Sequence, residues 1–254
     1  MGRSQVKTKP DYIKWLLLIG AASLGVLLGG SVFWHYILPH SVPVDRFRYP
    51  VAGIDVSKHN GKIDFEKVRD DNYQFVFIKA SEGKTYRDDA FASNYKAAHE
   101  AGLKVGAYHF FRKNRTGREQ ADNLLRVIKG KTLDLPVVID LEDDWGNGAT
   151  TKRDVAVQRL LEMITCLNDQ GYQVMIYTNM DGYKKYYKDM LTDCDLWLCS
   201  FTSPEDLQSQ IGHRIQQYNH EGKVAGVKGD VDLNVFLGSK REWQTYLDQV
   251  KRPS

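Results

Sequence analysis

Two carboxylates two residues apart, Asp140 and Glu142, close an apolar run in the stretch LPVVIDLEDDW, and Asp143 and Asp144 follow at once. Like charges crowded out of water repel, and a buried carboxylate without a partner is costly. In an extended strand the side chains of residues i and i+2 share a face, with their backbones about 6–7 Å apart. Two carboxyls held that way raise one another's proton affinity, so one can keep a proton near neutrality while the other stays an anion. Cleavage of a glycosidic bond needs that combination of a general acid and a second carboxylate. A metal site or a salt-bridge cluster is the alternative use of the same pair. Asp143 and Asp144 read as a loop cap ahead of the next helix.

The elements that would hold such a pair follow from the pattern around it. Eight short runs rich in β-branched and aromatic residues follow one another: VAGIDVS, YQFVFIKA, LKVGAYHF, LPVVIDLE, YQVMIYTN, DLWLCSF, HRIQQYN and VDLNVF. Between the early runs lie stretches at helical spacing, DFEKVRDD, DAFASNYKAAHEAG, TGREQADNLLRVIKG and TKRDVAVQRLLEMITCLNDQG, the second and fourth ending at Gly102 and Gly171 as helix C-termini often do. This alternation predicts an α/β fold, an irregular (β/α)8-like barrel of the TIM type, with an open doubly wound sheet as runner-up. HEGKVAGVKGD between the last two runs is too short and glycine-rich for a good helix, so irregularity is expected in the second half.

In a parallel barrel the C-terminal ends of the strands converge on one face, where substrates bind. Asp55 closes the first run, Lys79 and Glu82 the second, Tyr108 and His109 the third, Asp140 and Glu142 the fourth, Tyr177 the fifth and Tyr218 the seventh, while Asp232 opens the eighth. Each also has an ordinary reading. Asp55 could cap a turn, His109 could be a satisfied core histidine, Glu82 could be solvated, and Asp230 with Asp232 could hold a turn after Gly229.

Composition narrows the rivals. The 254 residues are 42% hydrophobic and 26% charged, enough for one sizeable core, and the net charge of +3 comes from interspersed residues with no basic block, so nucleic-acid binding is not expected. Cys166, Cys194 and Cys199 show no metal or redox spacing and read as structural. A Cys194–Cys199 bridge is the alternative, but the DLWL strand between them would hold them apart. No G-x-S-x-G, no Cys/His pair near a strand end, no H-E-x-x-H and no phosphate-binding G-x-x-x-x-G-K is present, which leaves hydrolysis by carboxylates, with neither metal nor cofactor expected.

The N-terminus is the sharpest compositional break. No Asp, Glu, Lys or Arg occurs between Lys14 and Asp45, and 15–38 is long enough to span a bilayer, which takes about 20 residues. Arg3, Lys7, Lys9 and Lys14 precede it, and Trp15, Trp34 and Tyr36 sit where interfacial aromatics would. The expectation is a short basic cytoplasmic tail (1–14), a transmembrane signal-anchor (15–38), a linker (39–50) with Pro39, Pro43 and Pro50, and a catalytic barrel (51–254) outside the cytoplasmic membrane. A cleaved signal peptide and a secreted product form the alternative.

GIDVSKHNGKIDFEKV, FVFIKASEG, AGLKVGAYHFFR, LPVVIDLED, VMIYTN and GDVDLNVFLG resemble, in order, the signatures of the glycoside hydrolase family 25 lysozymes, the N-acetylmuramidases, over about Val51 to Gly238. The resemblance implies an irregular β/α barrel and hydrolysis of the β linkage between N-acetylmuramic acid and N-acetylglucosamine in peptidoglycan. It implies Glu142 as general acid/base, and Asp140 as the second carboxylate, which either stabilises the oxocarbenium-like transition state or orients the substrate's acetamido group. Asp55 and Asp232 match two further acids of the same pocket, and Tyr177 matches the family's active-site tyrosine. Tyr177, Tyr108, His109, Lys79, Glu82 and Tyr218 are the expected substrate contacts, peptidoglycan strands the partner, and a monomer the working unit. His59-Asn60, LWLCSF and Gln216 depart from the family pattern, so sugar-contacting subsites are expected to differ. A non-catalytic glycan-binding module and a glycosidase for another amino-sugar polymer are the rival readings.

Overall fold

A computed structural model of the chain describes residues 41–142, 150–251 and 253. The expected tail and membrane span at 1–38 lie outside them, as do Asp143 and Asp144. Among the described residues no helix is long and apolar enough to cross a membrane.

The predicted runs form strands β1 (Ala52–Val56), β2 (Phe75–Glu82), β4 (Lys104–Phe110), β5 (Val137–Asp140), β6 (Val174–Asn179), β7 (Asp195–Cys199), β8 (Ile215–Gly222) and β9 (Val231–Phe236), while β3 (Tyr86–Arg87) is a short hairpin arm on β2. Their order is β1-β9-β8-β7-β6-β5-β4-β2, and β1 pairs back with β2, which closes an eight-stranded barrel. β1, β2 and β4 to β8 run parallel. β9 departs from the expected parallel barrel, because it is antiparallel to both β8 and β1. A parallel crossover needs a dozen or more residues, usually with a helix. The 223–230 connection offers fewer, with Gly226 and Gly229 at φ 92° and 95°, so the chain turns straight back.

Strand alternation sorts the side chains into two apolar layers. One contains Phe75, Phe77, Val138, Met175, Trp197, Ile215 and Phe236. Phe77 of β2 stacks on Trp197 of β7 with ring centroids 4.6 Å apart, a contact between non-neighbouring strands that only the barrel interior permits. Gly53 and Gly106 make room there, since a Cβ on either would come within 2.3 Å of the Phe75 or Phe77 ring. The other layer, with Ile54, Val76, Ile78, Val105, Ile139, Ile176 and Leu198, packs under the helices.

The helices Phe65–Asp70, Phe91–Glu100, Gly117–Ile128 and Arg153–Asp169 fill the predicted stretches, with Asp64 and Thr116 capping the first and third. Gly102 and Gly171 follow the second and fourth at φ 82° and 83°. The C-terminal helix Lys240–Gln249 sets Trp243 against Phe75 and Phe236, sealing the end of the barrel opposite the C-termini of the parallel strands. The segment read as a linker is docked: Val42 donates to the Tyr218 carbonyl at 3.0 Å and Tyr49 is buried. All three cysteines are free, with Cys194 and Cys199 at opposite ends of β7.

Candidate active site

At the open end of the barrel a cavity of about 370 Å³ is lined by Asp55 from β1 and Ser57 just after it, Lys79 from β2, Tyr108 and Phe110 from β4, Asp140 at the end of β5 and Glu142 two residues beyond, and Tyr177, Trp197, Gln217 and Asp232 from the remaining strands, with His59 and His220 at its rim. Inward parity explains the selection. Asp55 follows Gly53, Tyr108 follows Gly106, Asp140 follows Val138 and Tyr177 follows Met175, each two residues beyond a position in the interior layer. The four acids expected from the sequence are therefore brought to one pocket.

Asp55 is the most tightly held. Its Oδ2 accepts from Gln217 Nε2 at 2.9 Å and from Asn234 Nδ2 at 2.7 Å. Asn234 Oδ1 in turn accepts from the Trp197 indole N–H at 2.8 Å, and Gln217 Oε1 accepts from the Tyr177 hydroxyl at 2.7 Å and lies 2.9 Å from His220 Nε2. Asp55, Gln217, Asn234, Trp197 and Tyr177 are all buried, so each polar group here needs the partner it has.

Antiparallel pairing places Asp232 opposite Asp55, and their side chains are hydrogen-bonded. Burial pushes the Asp55 carboxyl up to about 6, against the opposing pull of the two amides. Asp232 goes further, to about 9, through burial and then the neighbouring charges of Asp55 and Glu142. Burial also lifts the phenols of Tyr108 and Tyr177 well above their ordinary range, which leaves both as neutral hydrogen-bond donors.

Some expected contacts point elsewhere. His109, one residue out of parity with Tyr108, faces the helix layer, where it is fully buried between Ser81 Oγ (2.8 Å) and Gln120 Oε1 (3.2 Å), and burial pushes its imidazole down to about 4. Tyr218, next to inward Gln217, is buried in the outer layer. Glu82 stands beside the pocket wall, taking Lys79 Nζ at 2.8 Å and Arg112 Nε at 2.9 Å. Burial works to raise its carboxyl, but those two cations outweigh it and hold the group below its usual range. Gln216 also faces outward, donating to the carbonyls of Ser200 and Thr202 at 2.8 Å.

Sequence reasoning missed Gln217, Asn234 and His220. The parity rule that selects Asp232 also selects Asn234, and the one that rejects Tyr218 selects Gln217. A Cys/His pair at strand ends does exist, contrary to expectation: Cys199 Sγ lies 3.3 Å from His220 Nε2. Burial lifts the Cys199 thiol to about 12, so it is no nucleophile near neutrality. Among the described residues no cluster of three or more His, Cys, Asp or Glu side chains is arranged to hold a metal ion.

The sequence model of a family described as glycosyl hydrolases family 25 matches residues 54–227, a span that contains all of these strands except β9 and all but the start of β1. The chain belongs to glycosyl hydrolase family 25. The structure of a family 25 glycosyl hydrolase from Bacillus anthracis is similar at 33% identity and a TM-score of 0.74, covering 82% of this chain and 97% of that one. The autolytic lysozyme of Clostridium acetobutylicum is 32% identical over 188 residues, 73% of this chain and 56% of the relative. Lysozyme M1 of Streptomyces globisporus is 34% identical over 206 residues, 74% of this chain and 68% of the relative. The match thus spans little more than half the length of the Clostridium relative. Membership in family 25 places this barrel among glycoside hydrolases.

Proposed function

We propose that this family 25 glycosyl hydrolase is a muramidase, cleaving the β linkage between N-acetylmuramic acid and N-acetylglucosamine in peptidoglycan. The observation that carries the reading is the convergence of Asp55, Asp140, Glu142 and Asp232 on one pocket among hydrogen-bonding aromatics. It is supported by relatives named as lysozymes and as N,O-diacetylmuramidases, the latter from Arthroderma benhamiae and Chalaropsis.

In this reading Glu142 protonates the glycosidic oxygen as the bond to C1 breaks. Asp140 answers the positive charge that develops on the ring, either directly or by orienting the acetamido oxygen against C1. Water then completes the exchange and leaves a new reducing end on muramic acid. Tyr108, as a neutral phenol, donates to sugar or carboxylate oxygens, Tyr177, whose proton is held by Gln217 Oε1, accepts from a sugar hydroxyl, and Lys79, Phe110 and His59 supply the wall on which the sugars lie. A monomer is the proposed working unit. The full chain incubated with purified peptidoglycan should release reducing ends; none released while a chitin-type polymer is cut would move the substrate to another amino-sugar chain.

We also propose that segment 15–38 anchors the protein in a membrane, with the barrel on the extracytoplasmic side where the wall lies and a cleaved, secreted form as the alternative. The support is the uncharged run between Lys14 and Asp45 and the basic residues before it.

A further inference from the structure

Two hydrogen-bonded carboxyls need a proton between them, because a carboxylate can only accept. Asp55 and Asp232 are such a pair, opposite one another in the pairing of β1 with β9. The network around them decides which one carries the proton. Asp55 Oδ2 already accepts two amide N–H groups, at 2.9 and 2.7 Å. The Asn234 amide cannot turn over. The indole of Trp197 can only donate, which fixes Asn234 with its oxygen toward Trp197, and Tyr177 and His220 both address the Gln217 oxygen. The fixed Asn234 donor, with Gln217 Nε2 beside it, favours the anion at Asp55. Among the described residues no amide donates to the Asp232 carboxyl.

We propose that Asp232 carries the shared proton and is a positioning residue, donating it to Asp55 so that Asp55 is held as an oriented anion in the pocket. The other groups facing the pair would not welcome a second negative charge. Asp140 ends β5 and Glu142 follows it, and Tyr108, Tyr177 and Cys199 from β4, β6 and β7 are kept neutral by burial. Lys79 of β2 is tied to Glu82, and His220 spends Nε2 on Gln217. Burial and the charges of Asp55 and Glu142 act in the same direction on Asp232.

The kinetic part of this inference rests on the muramidase reading, but its direct test does not. In infrared spectra of the full chain at pH 7, one protonated-carboxyl carbonyl band should be lost in Asp232→Asn and kept in Glu142→Gln, separate from any band that the general acid Glu142 contributes. With peptidoglycan as substrate, Asp232→Asn, which keeps a hydrogen-bond donor that cannot titrate, should stay within about tenfold of the wild-type kcat/KM, with the alkaline limb that Glu142 sets retained. Asp232→Ala and Asp55→Asn should each fall by about a hundredfold or more. A band that survives Asp232→Asn and disappears in Asp55→Asn would overturn the assignment, as would Asn and Ala variants of Asp232 that are equally inactive. A band lost in Asp232→Asn together with no hydrolysis by the wild type would keep the proton assignment and reject the muramidase reading.

Discussion

Gln217 reaches across the barrel to Asp55, its Nε2 2.9 Å from Oδ2, although β9 lies between their two strands. The bond therefore ties the parallel strand β8 to β1 over the reversed strand, and it sets the orientation of an acid in the candidate pocket.

Replacing Gln217 by Glu turns this donor into an acceptor facing another carboxylate. A hydrogen bond to a charged group contributes about 1.5–3 kcal/mol, so kcat/KM on peptidoglycan is expected to fall by about ten- to a hundredfold. A variant with the wild-type rate would mean that the orientation of Asp55 does not matter.

His109 makes acid stability a second test. Burial pushes its imidazole down to about 4, whereas in the unfolded chain it titrates near its ordinary value of 6.5. Between those values the unfolded state binds the extra proton, so stability is fully present above pH 6.5 and lost as pH falls toward 4. The loss is about 3 kcal/mol at most. Thermal unfolding at a series of pH values should show Tm declining over this window, and His109→Gln should flatten the decline. Part of the slope should remain, because burial pushes His213 in the same direction. An unchanged slope in the variant would place the acid sensitivity elsewhere.

The contrast between His109 and Tyr108 also shows what could be read from sequence. Residue types at strand ends identified the acids, and the helical stretches and their glycine stops identified the outer layer. Parity within a strand was the weak point, because one residue of slip exchanges pocket for core. His109 and Tyr218 were chosen for their chemistry, whereas Tyr108 and Gln217 hold the inward positions. The reversal of β9 was legible only as a connection poor in helix. The Asn234 and Gln217 amides act on an acid 179 and 162 residues away, a relationship no local pattern carries.

Two packing contacts test the scaffold separately from the chemistry. A Cβ on Gly117 would lie 2.0 Å from the Arg159 carbonyl oxygen and 2.5 Å from the Met163 nitrogen, both backbone atoms of the neighbouring helix. Gly117→Ala is expected to cost about 1–3 kcal/mol in unfolding experiments, since backbone cannot step aside as a flexible side chain can. Trp243→Ala should cost about 3–5 kcal/mol by opening the sealed end of the barrel beneath Phe75 and Phe236. A Tm unchanged in either variant would contradict the packing described.

The most direct test of the central claim is mass analysis of the fragments that the full chain releases from purified peptidoglycan, beside those from Glu142→Gln. Wild type should yield fragments with muramic acid at the new reducing end, and the variant should release them at least about a hundredfold more slowly. Fragments ending in reducing N-acetylglucosamine, or a Glu142→Gln rate close to wild type, would contradict the account.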